Sequence, residues 1–200
     1  MPSLSLITSL QDELLLPWLE LYESAFPPTE RVPVAVLLGI LKHKTEDFHM
    51  LAALDEEDAF AGLAFYILPK EAGGRAGFLW YLATRPDLRG QGLGAWMYRG
   101  ILARLPRAVE ALYFDIEIPA LATDEPARAL ARRRIAFYQR LGARRLTGVT
   151  STIQAAPDRP RITLYMMAHP LAGQSAAQAY DLALTFLSSE LSLEGEVGYE

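Results

Sequence analysis

Three glycines stand at alternate positions in the segment Arg89-Gly90-Gln91-Gly92-Leu93-Gly94. Glycine lets a chain turn tightly and lets its backbone approach a ligand closely. The segment lies between an apolar strand and an amphipathic helix, so the N–H groups that open the helix are left without partners inside it. Such amides can cradle a phosphate or pyrophosphate, and Arg89 adds positive charge. An ordinary strand-to-helix turn with glycine caps would use the same residues. A Walker A loop is excluded, because no Gly-Lys-Ser/Thr follows. A dinucleotide-binding loop fits poorly, because no repeated βαβ units surround it.

Other residues have types suited to acid–base work. The stretch Phe114-Asp115-Ile116-Glu117-Ile118 alternates as a strand. That places Asp115 and Glu117 on one face, opposite the apolar one. Two carboxylates on one face favour a cationic amine, and such a pair raises one partner's pKa toward a useful range. The solvent side of a strand would carry the same pair. Tyr138 follows Phe137 on a helical stretch, where it serves packing or proton donation. The segment 21–33 holds Tyr22, Glu23, Glu30 and Arg31. Arg31 would grip a carboxylate or pair with Glu30. Trp80 and Tyr81 precede the glycines on their strand, and at least one should pack in the core. Arg132-Arg133-Arg134 is a basic run, read as a solvated helix face or as a set of phosphate contacts.

Composition narrows the chemistry. The chain has 200 residues, 51% apolar and 22% charged, with a formal net charge of −5. It can bury one real core, and a mostly disordered chain is excluded. The acidic balance argues against nucleic acid as a main partner. There is no cysteine, so disulfides, thiolate metal sites and a Cys nucleophile are excluded. His43, His49 and His169 lack metal-ligand spacing and read as structural or solvent-facing, so no metal is expected. No run approaches the ~20 apolar residues that span a bilayer. The first residues lack a basic stretch and carry Asp12 and Glu13. A cytoplasmic protein without a membrane partner is the expectation.

These residues need elements to position them. Leu4 to Ser9 reads as a strand, Gln11 to Ala25 as a helix that starts late or kinks at Pro17, and Pro33 to Leu41 as a second helix. His49 to Leu54 and Phe60 to Leu68 read as paired strands joined by the acidic turn Asp55-Glu56-Glu57-Asp58. Gly77 to Thr84 is an apolar strand, Leu93 to Leu105 a helix, and Leu112 to Ile118 a strand. Pro126 to Leu141 is a helix closed by Gly142. Arg144 to Gln154 and Arg161 to Ala168 are two more strands. The order is an α/β pattern with an antiparallel component and one crossover, Phe78 to Ile118, between parallel strands. Residues 1–170 form the main domain, and 171–200 a helical extension and tail. Its helix, Ser175 to Leu187, would pack on its own sheet or on a second subunit in a homodimer. Glu194 to Glu200 is expected to fray.

Two of these stretches carry a family resemblance. Arg89-Gly90-Gln91-Gly92-Leu93-Gly94 resembles the Arg/Gln-x-x-Gly-x-Gly/Ala signature of the GNAT family of N-acetyltransferases. Ile135 to Ala143 is similar to that family's Phe-Tyr-x-x-x-Gly-Phe stretch, with Phe137, Tyr138 and Gly142 in place and Ala143 for the last Phe. Ala131 and Arg134 stand where the family often has an Asn and a small residue. The resemblance implies an acyl-CoA N-acyltransferase fold: α/β (α+β), with a mixed, mostly antiparallel central sheet flanked by helices. It implies acetyl-CoA as cosubstrate and no metal. By resemblance, the backbone of Leu82, Ala83 and Thr84 binds the pantetheine arm. The amides of Arg89, Gly90, Gln91, Gly92, Leu93, Gly94 and Ala95 hold the pyrophosphate, with Arg134 as a further phosphate contact. Strands 78–84 and 112–118 would splay to admit the thioester, and an N–H between Tyr81 and Ala83 would polarise its carbonyl. Tyr138 becomes the general acid for the departing thiolate, since a phenol near pKa ~10 can donate to a thiolate near ~8.5. Glu117 becomes the general base or amine anchor. Glu23, Arg31, Tyr81 and Asp115 fall to the acceptor. The implied activity is acetyl transfer to the primary amine of a small molecule by direct attack. A non-catalytic acyl-CoA sensor and a protein or peptide N-acetyltransferase are the alternatives.

Overall fold

The computed structural model describes residues 1–43 and 47–200. The fold is mixed α/β, with a mostly antiparallel sheet flanked by helices. The chain separates into two compact units.

The first unit comprises Met1–Ile67, Leu79–Leu105 and Gln154–Pro160. It holds β1 (Ser3–Ile7), α1 (Leu15–Ala25), α2 (Val34–His43), β2 (Phe48–Leu54), β3 (Phe60–Ile67), most of β4 (Ala76–Thr84) and α3 (Leu93–Arg104). Its strand order is β1-β2-β3-β4, with β1/β2 and β2/β3 antiparallel. Helix α1 starts at Leu15, later than Gln11. Asp12 explains the delay: its carboxylate accepts from Leu14 N at 3.0 Å and holds a turn there. Pro17 then sits in the first turn, where its missing N–H has no partner to lose. The acidic turn between β2 and β3 is closed by Asp55, whose Oδ1 accepts from Glu57 N at 2.9 Å and Ala59 N at 3.0 Å.

The core of this unit is aromatic. Trp18 and Tyr22 on α1 are fully buried with Leu37, Met50, Leu63 and Phe65. Trp18 Nε1 donates to Leu51 O at 3.0 Å, so its one polar atom is satisfied. Tyr81 belongs to the same cluster, and Trp80 packs against it. His49 stacks on Tyr66 with ring centroids 4.6 Å apart, a packing role as expected.

The second unit comprises Leu68–Phe78, Pro106–Ile153 and Arg161–Glu200. It holds the start of β4, then β5 (Ala111–Glu117), α4 (Glu125–Arg140), β6 (Arg144–Ile153), β7 (Ile162–Pro170), α5 (Ala176–Leu187) and β8 (Leu191–Tyr199). Its strand order is β4-β5-β7-β6-β8. Residues Ala76–Phe78 pair in parallel with Ala111–Tyr113, and β5/β7, β6/β7 and β6/β8 are antiparallel. Asp124 caps α4 by accepting from Ala127 N at 2.7 Å, and Pro126 follows in the first turn. Ser175 and Gln178 form a capping box on α5.

The tail corrects one expectation. Residues 194–200 do not fray. They lie in and just after β8, which pairs with β6 from Ser151↔Leu191 to Leu146↔Tyr199. This strand is exposed over most of its length, and Leu191, Leu193, Val197 and Tyr199 alternate along it with Ser192, Glu194, Glu196 and Gly198. Its pairing with β6 rests on backbone hydrogen bonds, and the alternation is the period-2 mark of a strand, interrupted by Gly195.

Gly62 on β3 brings α3 close to the sheet of the first unit. A Cβ there would stand 2.8 Å from both Ala83 O and Met97 Sδ. Gly62→Ala is expected to lower stability by about 1–3 kcal/mol through overpacking. Thermal denaturation measures it, and an unchanged midpoint would show that α3 is not packed against β3 this closely.

Candidate active site

In the first unit, β4 runs into the glycine loop and then α3. Arg85 clamps the entry. Its N donates to Ala61 O at 2.9 Å, its Nη1 to Phe60 O at 3.0 Å, and its Nη2 to Asp87 Oδ2 at 2.6 Å. That bond holds the Asp87 carboxyl below its ordinary range. Arg85 was not singled out from the sequence, because its role depends on the β3 carbonyl beside it.

Gly90 and Gly92 adopt φ of +79° and +84°, the left-handed region that other residues enter at a cost. A Cβ at either meets no atom within 4 Å, so the space above the loop is open. Trp96 N is the donor that bonds back to Gly92 O, at 3.0 Å. The amides of Leu93, Gly94 and Ala95 therefore precede the first intrahelical bond, and no side chain caps them. Bare amides and the positive end of the helix dipole make an anion cradle. The expected cofactor residues Leu82 to Ala95 are thus consecutive along one strand end, loop and helix start.

The acceptor-side residues of this unit are also placed. Tyr81 does not offer its hydroxyl to a ligand. It accepts from Val32 N at 3.0 Å and donates to Glu30 O at 3.0 Å, while Tyr22 OH donates to Val32 O at 2.8 Å. Burial raises both phenols, so they stay neutral. These bonds fix the segment that carries Arg31. Arg31 pairs with Glu23, Nη1 to Oε1 at 3.4 Å, a different partner from the Glu30 considered from sequence.

In the second unit, β5 and α4 place the other expected residues. The Tyr138 ring lies 4.3 Å from that of Phe114 and 4.9 Å from that of Phe137. Burial pushes its hydroxyl up to about 12, against the pull of nearby Arg134. Glu117, the last residue of β5, forms an ion pair with Arg134 of α4. The guanidinium expected to touch cofactor phosphate therefore holds a carboxylate of its own chain.

Asp115 and Glu117 do not form the expected pair. Glu117 has Arg134. Asp115 is half-buried, with its Oδ1 oxygen out of solvent, and the groups that act on it are Ser151 and Glu190. Burial pushes its carboxyl up to about 7, Glu190 adds to the rise, and the Ser151 hydroxyl opposes it. Alternation along β5 could not show that α5 and the residues after it cover this face. A cavity of about 630 Å³ elsewhere in this unit is lined by Arg128, Arg132, Arg145 and Tyr165, and by none of these expected residues. Among the described residues, no three His, Asp or Glu gather as a metal would require. None of the described helices is long and apolar enough to cross a membrane.

The comparisons with known proteins agree with this architecture. The model of the Acetyltransferase (GNAT) family matches residues 13–143, about two thirds of the chain. A GNAT-family protein from Bacteroides thetaiotaomicron superposes with a TM-score of 0.73 at 22% identity, covering 90% of this chain and 92% of that one. An Escherichia coli N-acetyltransferase that acts on an alanine of a ribosomal protein gives 0.56 at 20% identity, covering 87% and 96%. The spermidine/spermine N-acetyltransferase of Vibrio cholerae gives 0.58 at 12% identity, covering 84% and 91%. No curated protein matches the sequence. The chain belongs to the GNAT family of acetyltransferases, and acetyl transfer is the activity that membership carries. The family implies acetyl-CoA as cosubstrate. The open, left-handed glycine turn and the uncapped α3 amides fit its pyrophosphate.

Asp115 makes stability depend on pH. An unfolded Asp titrates near ~3.9, so the native carboxyl keeps a proton that the unfolded one has already lost. The contribution is fully present below the unfolded value. It fades as pH rises toward about 7, a loss on the order of 4 kcal/mol at most. Asp115→Asn should flatten this decline. Melting temperatures near pH 5 and near pH 8 would show the wild type losing more than the variant; equal losses would mean Asp115 is not the source.

Proposed function

We propose that this chain transfers the acetyl group of acetyl-CoA to the primary amine of a small molecule by direct attack, without a covalent acyl-enzyme. The observation that carries the reading is the anion cradle at the start of α3, next in sequence to the strand end that would hold pantetheine. Acetyl-CoA, when bound, supplies an electrophilic thioester carbonyl and a thiol leaving group. The amides from Arg89 to Ala95 would hold its pyrophosphate. The backbone of Leu82, Ala83 and Thr84 would hold its pantetheine arm, and one N–H between Tyr81 and Ala83 would polarise the carbonyl.

Tyr138 is the proton donor in this reading. Its raised hydroxyl keeps its proton throughout the neutral range, so it is always charged with the proton it must give. Glu117 serves the amine, as anchor of its ammonium form or acceptor of its proton. Arg134 orients that carboxylate, and using Arg134 for cofactor phosphate would break the pair. Glu23 and Arg31 offer opposite charges to the acceptor from a segment pinned by two phenols. Asp115, whose carboxyl keeps its proton toward neutrality, is left out of the acceptor set.

Two variants test the assignment. Gly92→Val forces a β-branched residue to φ +84°. It should weaken acetyl-CoA binding about tenfold or more, measured by calorimetry. Unchanged affinity would remove the loop from the cofactor site. Tyr138→Phe should lower kcat by about 100-fold while leaving acetyl-CoA affinity in place. An unchanged rate would leave Tyr138 a packing residue.

A further inference from the structure

The second unit holds an arginine-lined cavity that the proposed reaction does not use. Its volume of about 630 Å³ is in the range of small-molecule sites. Three guanidinium groups line it: Arg128 and Arg132 from α4, and Arg145 from β6. Pro119, Ala120, Ile135 and Tyr165 supply apolar and aromatic wall. The cavity therefore offers charge on one part of its lining and carbon on another.

The cations are unevenly engaged. Arg128 is held by Glu125 at 2.6 Å and by the Pro119 carbonyl at 3.3 Å. Arg132 reaches the same Glu125 at 3.9 Å, beyond hydrogen-bond distance, and its side chain is 64% exposed. Arg145 stacks over the Tyr165 ring at 4.4 Å and is ion-paired with Glu200. Glu200 itself lines the cavity, so a carboxylate of the chain already occupies one guanidinium there. Backbone bonds between Arg145 and Glu200, 3.0 Å in each direction, hold these two residues side by side. The pair shows the contact an incoming oxyanion would make, and Glu200 is the group it would have to displace.

We infer that this cavity is a binding site for a small organic anion, with a carboxylate or phosphate head received by Arg132 and Arg145 and an apolar body laid against Ile135 and Tyr165. Guanidinium groups suit both heads, because their planar N–H fork matches two oxygens at once. The site is separate from the glycine loop in its residues and does not depend on the acetyl-transfer reading.

Calorimetry on the full chain with phenyl phosphate, benzoate and inorganic phosphate tests it. Each titration is repeated with acetyl-CoA at saturation, so that the α3 cradle is filled. The expected result is saturable binding of phenyl phosphate or benzoate, tighter than inorganic phosphate and unchanged by acetyl-CoA. Whichever of the two binds tighter identifies the head. Arg132→Gln, at an exposed position that leaves the core untouched, should weaken binding about threefold to tenfold. Glu200→Gln should tighten it by removing the competing carboxylate. No saturation with either organic anion would overturn the inference. So would displacement by acetyl-CoA, inorganic phosphate binding as tightly as phenyl phosphate, or indifference to both variants.

Discussion

An α-helix leaves its first N–H groups without partners, and something must face them. At α3 no side chain among the described residues does: the helix has no side-chain cap, and its first internal bond begins at Trp96. The features around it make sense as consequences of keeping that end open. Gly90 and Gly92 turn the chain through the left-handed region, so no side chain covers the amides. Arg85 ties the loop entry to β3, and Gly62 lets Ala83 O and Met97 come close. A helix end that were merely structural would more simply carry a Ser or Asp cap, as α4 and α5 do.

The second unit is built around polar groups inside an apolar setting. Ser151 is shut from solvent, and the Oδ1 oxygen of Asp115 is buried beside it. Burial therefore sets the Asp115 proton far more than any one neighbour does. Tyr138 shows the same logic from the other side. Packed on Phe114 and Phe137, its hydroxyl is desolvated and stays protonated. Tyr138 packs on β5 from α4, whereas Asp115 lies on β5 itself and feels Glu190.

Much of the fold was legible in the chain. Helical spacing in Trp18, Leu21 and Tyr22, alternation in β5, and glycine or proline stops all reflect local geometry, so they survive without knowledge of neighbours. The glycine loop and the Phe137-Tyr138 pair were legible for the same reason, since both are short and contiguous. The start of α1 was off because Asp12 competes for the backbone ahead of Pro17. Strand β8 carries a period-2 pattern in Leu191, Leu193, Val197 and Tyr199, but Gly195 and Gly198 interrupt it in a way a loose tail would share. The partners of Arg31, Glu117 and Asp115 were also out of reach, because each is set by a residue distant in sequence or beyond the element concerned.

By itself, then, the sequence determined which groups this acetyltransferase carries and the elements they sit on: amides at a glycine turn, a tyrosine after a phenylalanine, carboxylates on one strand, and no cysteine. These follow from covalent spacing and backbone sterics. Only the tertiary structure decided the state of those groups. It joined Glu117 to Arg134, turned Tyr81 inward to hold the segment of Arg31, and buried Asp115 until its proton is held toward neutrality. Charge and hydrogen bonding act through space and through the dielectric around a group. Both are properties of packing, which a one-dimensional pattern does not contain.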